Sequence, residues 1–430
     1  MELCYLALWL PVKDPVEVLV LIGAGVIAYL LLAWLVWQGH STPSASSQRS
    51  FVWLVIVLGV LFRLTLVPHG VVGSDDIYRY LWDGKVSAAG INPYVYPPVD
   101  PHLAHLAGNG LPQKVNNPEF RTVYPALAQL FFLLSHTLFG DSIAGLKFLL
   151  VCMDTLTMIF LLMFLRSKGS DVVPLIVYAW SPLPIVYFGL DGHVDALGIP
   201  FLIAALLLIC TRRPVRGVFA LGIGALAKLF PLLIVPFLFR SQDGRRRFLL
   251  PAIPVLMVAA GCMAYFDPSL GVIESLKTFG SRWEFNGSLF WIAYWITGTN
   301  EAAHIVCAIA IAGCVGCLTF LRLSFLERVF WGSVCFFLLS PVVHPWYLTW
   351  LAALLVIRWS TTVFVFLGLS NLANIVVYQY RASGQWVDQP YILLLEYVPV
   401  FVLLVLEMYR GDWLKPTIFR VADSERCEHH

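Results

Sequence analysis

Charge is the scarcest property of this sequence. Lys, Arg, Asp and Glu make up 13% of its 430 residues against 59% hydrophobic, and the mean hydropathy is +0.79. A soluble domain carries about 25% charged residues, so a water-soluble globule is excluded. A membrane barrel is excluded too, because it would show short alternating segments where this chain has apolar runs near the ~20 residues of a spanning helix. No repeat of fixed period and no glycine-rich nucleotide-binding loop is found. The nine cysteines lie mostly inside apolar runs (Cys152, Cys210, Cys262, Cys307, Cys314, Cys317, Cys335) and read as packed thiols rather than a disulfide framework. Cys314 and Cys317 lack further Cys or His at ligand spacing, which argues against zinc. Met1–Pro11 is too short and lacks the basic start of a signal peptide. The net charge of +2 decides little, whereas the placement of the basic residues decides a good deal.

What is present is a series of apolar runs. Val16–Trp37 comes first, and a polar linker, Gly39–Arg49, joins it to Phe51–Val67. A polar segment then lasts until about Thr122, rich in Pro, Asn and Tyr and without a strong period; a loop of that length is usually functional. It opens on Gly73-Ser74-Asp75-Asp76-Ile77-Tyr78-Arg79-Tyr80. Val123–Phe139 and Ile143–Leu165 follow, then a basic turn at Arg166 and Lys168. Val172–Leu190 is broken by Ser181-Pro182-Leu183-Pro184 and ends in a polar knot, Asp191–Asp195. Ala196–Cys210 leads to Gly217–Phe239, which has Lys228 in its middle. Later runs are Phe248–Phe266, Ala302–Leu321, Phe330–Val343, Leu348–Ile357, Thr361–Val377 and Tyr391–Glu407.

Basic residues stay on the cytoplasmic side. Arg212, Arg213 and Arg216 precede the Lys228 run, and Arg240 and Arg245–Arg247 follow it. A single crossing would put one cluster outside, whereas two half-helices meeting near Lys228 keep both inside, as broken helices do where they line a cavity. Arg166 and Lys168 then belong inside as well, which requires that Val123–Phe139 not cross fully. The chain therefore reads as an all-α polytopic membrane protein of about 11–13 transmembrane helices. It is expected to be one integral domain over residues 1–430, with 69–122 a long extracytoplasmic loop, 123–139 a juxtamembrane or half-inserted helix and 410–430 a cytoplasmic tail. The Asp75/Asp76 loop, Asp191–Asp195, Lys228, the loop around Arg282 and His344 then converge on one outer face.

Each polar cluster also has a plainer reading. Asp75 and Asp76 could be a solvated loop pair; one turn past a span and among aromatic residues, they instead suit a general base, and like charges side by side raise one pKa. Asp191 or Asp195 could cap the helix that follows. Lys228, alone in a long apolar run, must snorkel, pair or meet a ligand anion. Arg282 could be an ordinary loop charge, and His344, Trp346, Tyr347 and the 291–295 aromatics an interfacial belt.

Taken in order, these motifs resemble the GT-C superfamily of integral-membrane glycosyltransferases, and within it glycosyltransferase family 87. They are Asp76 followed fourteen positions later by Gly90-Ile91-Asn92-Pro93-Tyr94, then Tyr124-Pro125-Ala126-Leu127, Gly192-His193-Val194-Asp195, Lys228-Leu229-Phe230-Pro231 and His344-Pro345-Trp346-Tyr347. The resemblance runs from Phe51 to Ile357. It implies a polyprenyl-phosphate sugar donor and an inverting transfer with Asp76, or its neighbour Asp75, as base. It implies Lys228, His344 and Arg282 at the donor phosphate, and His193, Asp195, Tyr78 and Tyr124 about the sugar or acceptor. Asp195 is a departure, since relatives often carry Asn there.

The reading is thus a hexosyltransferase, with mannose the favoured sugar. It would act on a glycolipid or glycan acceptor at the extracytoplasmic face of a bacterial plasma membrane, in contact with membrane lipids and with no nucleic acid. It requires no cofactor but leaves room for a divalent metal at Asp75 and Asp76. The rival is a transporter or flippase of polyprenyl-linked or other amphiphilic solutes, which intramembrane Lys228 and broken helices would also suit.

Overall fold

In the computed structural model, residues 45–108, 110–241, 244–264, 283–383 and 389–411 are described, together with 17, 20, 23–31, 275, 277, 278, 280 and 281. Arg282, the tail beyond 411 and half of the first apolar run lie outside the described residues. The principal helices are α1 (Ala45–Leu66), α2 (Asp76–Ala88), α3 (Ala126–Phe139), α4 (Ile143–Ser167), α5 (Asp195–Cys210), α6 (Pro214–Ala227), α7 (Arg246–Ala264), α8 (Ser288–Thr297), α9 (Asn300–Phe320), α10 (Phe325–Leu339), α11 (Thr349–Ile357), α12 (Thr361–Leu369), α13 (Asn374–Ser383) and α14 (Pro390–Tyr409). Between α4 and α5 runs the broken helix Val173–Leu190. Among the described residues, extended pairing is confined to bridges joining Phe285 and Asn286 to Val342. The protein is an all-α polytopic membrane protein. Among the described residues, six helices are long and apolar enough to cross a bilayer, and six more are apolar but only 10–17 residues long.

The short helices are the ones broken to make the site. α6 stops at Ala227, and Lys228 turns extended at φ −155°, ψ 138°. Pro231 explains this: in a continuing helix it would lack the N–H for the Ala227 carbonyl and clash with it. The sequence places the interruption of this run at the same residue. Val173–Leu190 breaks after Ala179, restarts at Pro182 and finishes as a π-helix, Ile185–Leu190.

The polar loop differs from its sequence reading, since it opens with a helix, α2, where no period was evident. Ile77, Tyr80, Leu81 and Gly84 form a buried stripe spaced i, i+3, i+4, i+7 as an amphipathic helix requires, and Arg79, Trp82, Asp83 and Val86 are buried beside it. The stripe is diluted by Asp, Arg, Lys and Gly, so hydropathy hides it. α2 docks on α3 at Gly84, where a Cβ would lie 2.3 Å from the Phe132 carbonyl oxygen.

α5 packs between α4 and α6, and α6 against α7. α11 contacts α4, α5 and the broken helix, and all of its residues are buried. α7 and α14 have only 11% and 22% of their spans buried, so they form the lipid-facing rim.

A buried ion pair ties the frame together. Arg63 of α1 binds Asp154 of α4, with both side chains fully buried. Its Nη1 also donates to the Gly59 carbonyl at 2.8 Å and to the Ala179 carbonyl at 2.7 Å, the latter a group left unpaired by the helix break. Tyr178 donates to Asp154. The approach needs small residues: a Cβ on Gly59 would sit 2.8 Å from the Ala179 oxygen, and one on Gly189 2.7 Å from the Arg63 oxygen.

Removing one partner of a buried pair strands the other and costs about 3–5 kcal/mol, whereas replacing both is far cheaper. Arg63→Leu is expected to lower the detergent thermal midpoint steeply, and Arg63→Leu/Asp154→Leu to recover most of the loss.

Candidate active site

The segment leading into Asp76 is held by its backbone. Lys147, fully buried on α4, donates to the His69 carbonyl at 2.8 Å. Asp191 Oδ1 accepts the Val72 and Gly73 N–H groups, each at 2.9 Å. Only glycine fits at 73, where a Cβ would lie 2.5 Å from Asp191 Oδ2. Asp191 therefore caps this loop and not the helix after it. Asp195 does not cap that helix either, since it is its first residue and the N-cap position, Val194, makes no side-chain bond.

Asp75 occupies the N-cap position of α2 without a side-chain capping bond, and Asp76 starts the helix. The Asp76 carboxylate is 25% exposed, with His193 Nδ1 3.7 Å from its Oδ2. Asn116 Nδ2 donates to its Oδ1 at 3.2 Å. Arg79, one turn on, donates to the Phe120 carbonyl at 3.0 Å and the Asn117 carbonyl at 2.9 Å, which folds the 116–120 turn over α2. Burial pushes the Asp76 carboxyl above the usual range. The Asn116 bond and the Lys228 charge oppose that shift, and Asp195 and Asp75 add to it.

Lys228 points from the helix break toward Asp195. Its Nζ donates to both carboxylate oxygens at 2.7 Å and lies 4.1 Å from the Tyr347 ring centre. Trp350 Nε1 donates to Asp195 Oδ1 at 2.6 Å; Gly198 makes room, since a Cβ there would be 2.6 Å from the indole. Asp195 is 1% exposed and Lys228 25%. Asp195, expected to line the sugar pocket, has both oxygens engaged and is the counter-ion of Lys228.

A ladder of rings backs the site. His193 stacks on Trp346 at 4.0 Å, Trp346 on His344 at 4.1 Å and His344 on Phe285 at 4.4 Å. Trp346 is 6% exposed, so it is not part of an interfacial belt as the sequence reading allowed. Among the described residues, both ring nitrogens of His193 and Nδ1 of His344 are buried without a hydrogen-bond partner. Native proteins rarely leave such atoms unpaired, so they mark where a ligand or water belongs. Burial, then the charge of Lys228, lowers both pKa values, that of His193 well below the usual range and that of His344 to about 3. Both rings are neutral at pH 7 and act as hydrogen-bonding groups, not cations.

Tyr124 donates to Tyr80 at 3.4 Å, and its carbonyl accepts from Tyr94, so the Gly90–Tyr94 motif braces the start of α3. Tyr78 carries Lys114 Nζ over its ring at 5.6 Å, which places it against the loop. Sequence reasoning passed over Lys147, Asn116 and Trp350. Lys147, a charge within an apolar run, was the one with a legible signal. Among the described residues no three His, Cys, Asp or Glu side chains converge as a metal site would require.

A model of the family described as "Alpha-(1->6)-mannopyranosyltransferase, N-terminal domain" matches residues 5–241, more than half the chain. The chain belongs to this family. As a member it is a membrane-embedded glycosyltransferase that transfers mannose. The matched stretch holds Asp76, His193, Asp195 and Lys228, while His344 and Trp350 come from the part beyond it. The chain is also similar to alpha-(1->6)-mannopyranosyltransferase A of Mycobacterium tuberculosis, at 23% identity over 378 residues, covering 78% of this chain and 69% of that one.

Gly192 sits between Asp191 and His193 at φ +73°, and a Cβ there would be 2.6 Å from Ile77 Cδ1. The left-handed conformation alone costs a non-glycine residue roughly 1–2 kcal/mol. Gly192→Ala is expected to lower the thermal midpoint and, by shifting His193 against Asp76, to lose more activity than the destabilisation alone would give.

Proposed function

We propose that this mannosyltransferase is an inverting enzyme that takes mannose from a polyprenyl-phosphate donor to a lipid-linked or glycan acceptor on the extracytoplasmic side of a bacterial plasma membrane. The observation that carries the reading is the meeting of Asp76 with His193, beside the Lys228–Asp195 pair and the unpaired nitrogen of His344. A partly exposed carboxylate sits where a hydroxyl can approach, and one ammonium with neutral imidazoles sits where an anion can rest.

In this reading the acceptor hydroxyl gives its proton to the Asp76 carboxylate as its oxygen bonds to the anomeric carbon. The bond from that carbon to the phosphate oxygen breaks, and its electron pair leaves with the polyprenyl phosphate. The charge that develops there meets Lys228 Nζ and an N–H of His344 in a site already organised for it. Arg282, outside the described residues, is kept as a candidate second cation. Tyr124 and His193 border the space for the sugar and acceptor. A single displacement inverts the anomer, so the α-(1→6) product of the family description calls for a β-linked donor. Basic residues gathered at the opposite helix ends support the extracytoplasmic assignment.

A transfer assay with purified protein and a panel of polyprenyl-phosphate sugars tests this. Asp76→Asn is expected to lose about 10²–10⁴ in kcat with donor binding retained. Full activity in that variant would remove Asp76 as the base. A parallel assay with chelator decides whether a divalent metal at Asp75 and Asp76 takes part. Asp76 works ionised, so kcat/KM rises with pH through its raised pKa. Asn116→Ala removes a bond that favours the ionised form, so this acid limb is expected to move to higher pH. A limb unmoved in Asn116→Ala would contradict the assignment.

A further inference from the structure

Another buried carboxylate lies behind the ring ladder. Glu396 is in α14, one of the spans, and is fully buried. An ionisable group inside a spanning helix is rarely without a role. Among the described contacts, Asn286 Nδ2 donates to both of its oxygens, at 3.2 and 3.1 Å. The next residue, Tyr397, donates to the Asn286 carbonyl at 2.7 Å. Two consecutive residues of α14 thus grip one asparagine. Asn286 is held at φ +54°, a left-handed conformation that asparagine tolerates better than most residues.

Asn286 belongs to a short strap laid along the chain that enters His344. Phe285 N–H donates to the Pro341 carbonyl at 3.0 Å, and Val343 N–H returns to the Phe285 carbonyl at 2.8 Å. Gly287 allows the close approach, since a Cβ there would lie 2.8 Å from the Pro341 oxygen. The Phe285 ring closes the ladder on His344 at 4.4 Å. On its far side the strap borders a small cavity of about 20 Å³ lined in part by Trp291, Val376, Gln389 and Ile392, room for about one water. Phe285 packs in an apolar cluster with Val342, Ala373, Val376 and Ile392, and the bonds to Glu396 and Tyr397 tie the next residue of the strap to α14.

We infer that Glu396 is a positioning residue that sets the His344 ring through Asn286 and Phe285. Its effect reaches the donor only through His344, so its catalytic consequence rests on the reading that His344 meets the donor phosphate.

The test is a double-mutant cycle on the full chain, with kcat, donor KM and thermal midpoint measured for Glu396→Leu, Glu396→Gln, His344→Ala and the Glu396→Leu/His344→Ala pair. Gln can still accept from Asn286 and is expected to stay within about twofold of wild type. Leu is expected to raise donor KM about tenfold with little change in kcat, and to add nothing once His344 is absent. Asn286→Ala serves the same cycle if Glu396→Leu does not fold. Additive losses, or a Gln variant as impaired as Leu, would overturn the inference while leaving the mannosyl-transfer reading intact. A second readout needs no turnover: in ¹⁵N-histidine-labelled protein, the side-chain signal assigned by its loss in His344→Ala is expected to shift in Glu396→Leu and to hold in Glu396→Gln. An unmoved signal in Glu396→Leu would also overturn it. If wild type consumes no donor but that signal moves, the reading of the site fails and the inference about the strap stands.

Discussion

Lys228 is tolerated in an apolar run because Asp195 answers it, and the site depends on that pair. The ammonium needs a counter-ion in a place where water is scarce, and Asp195 supplies both oxygens at 2.7 Å. To reach it, α6 must stop, and the extended backbone at Lys228 turns the side chain toward the start of α5. Trp350 completes the arrangement from α11. Three helices are thus located by one carboxylate, and the pocket above them inherits its shape. The pair is unequal in exposure, Lys228 remaining partly open while Asp195 is sealed. That inequality leaves the cation, which also lies over the Tyr347 ring, partly open while its counter-ion is closed off.

A second pair does the same work lower in the frame. Arg63 binds Asp154 and also takes the carbonyl that the helix break leaves open. Polar groups here are concentrated where helices are interrupted, which is what a medium without water requires. The Asp76 segment obeys the same rule from outside the spans. Its N–H groups go to Asp191 and its His69 carbonyl to Lys147. The Asp76 segment is therefore fixed to the helical body by bonds to its own main chain.

Much of this was legible in the sequence, for physical reasons that can be named. Hydropathy alone gives a helical membrane protein. The lone Lys228 with Pro231 after it marks a broken helix, and Ser181–Pro184 marks another. What the sequence hides is pairing across distance. Asp191 and Asp195 stand four apart in one knot, yet one holds residues 72–73 and the other residue 228. A capping role was the local expectation, and the tertiary partners overrode it. Helix α2 was hidden because its buried stripe is interleaved with charge. Trp346 looked like a belt residue because aromatic residues at span ends usually are. Glu396 shows as a charge within an apolar run, but its meaning lies in Asn286, 110 positions earlier.

The sealed position of α11 has a consequence for how the protein is made. Its nine residues are too few to cross a bilayer of ~30 Å, and none of them faces lipid. Such a segment cannot settle when it leaves the translocation machinery; it must wait for walls on every side. Some of those walls, α4, α5 and the broken helix, are already in place, but α14, which anchors the strap over His344, is synthesised last among the described helices. Asp76 and Lys228 are both present when little more than half the chain has been translated, yet the pocket is finished only when the final span arrives. The last of these helices to be made is thus the one that holds the strap behind the ring ladder.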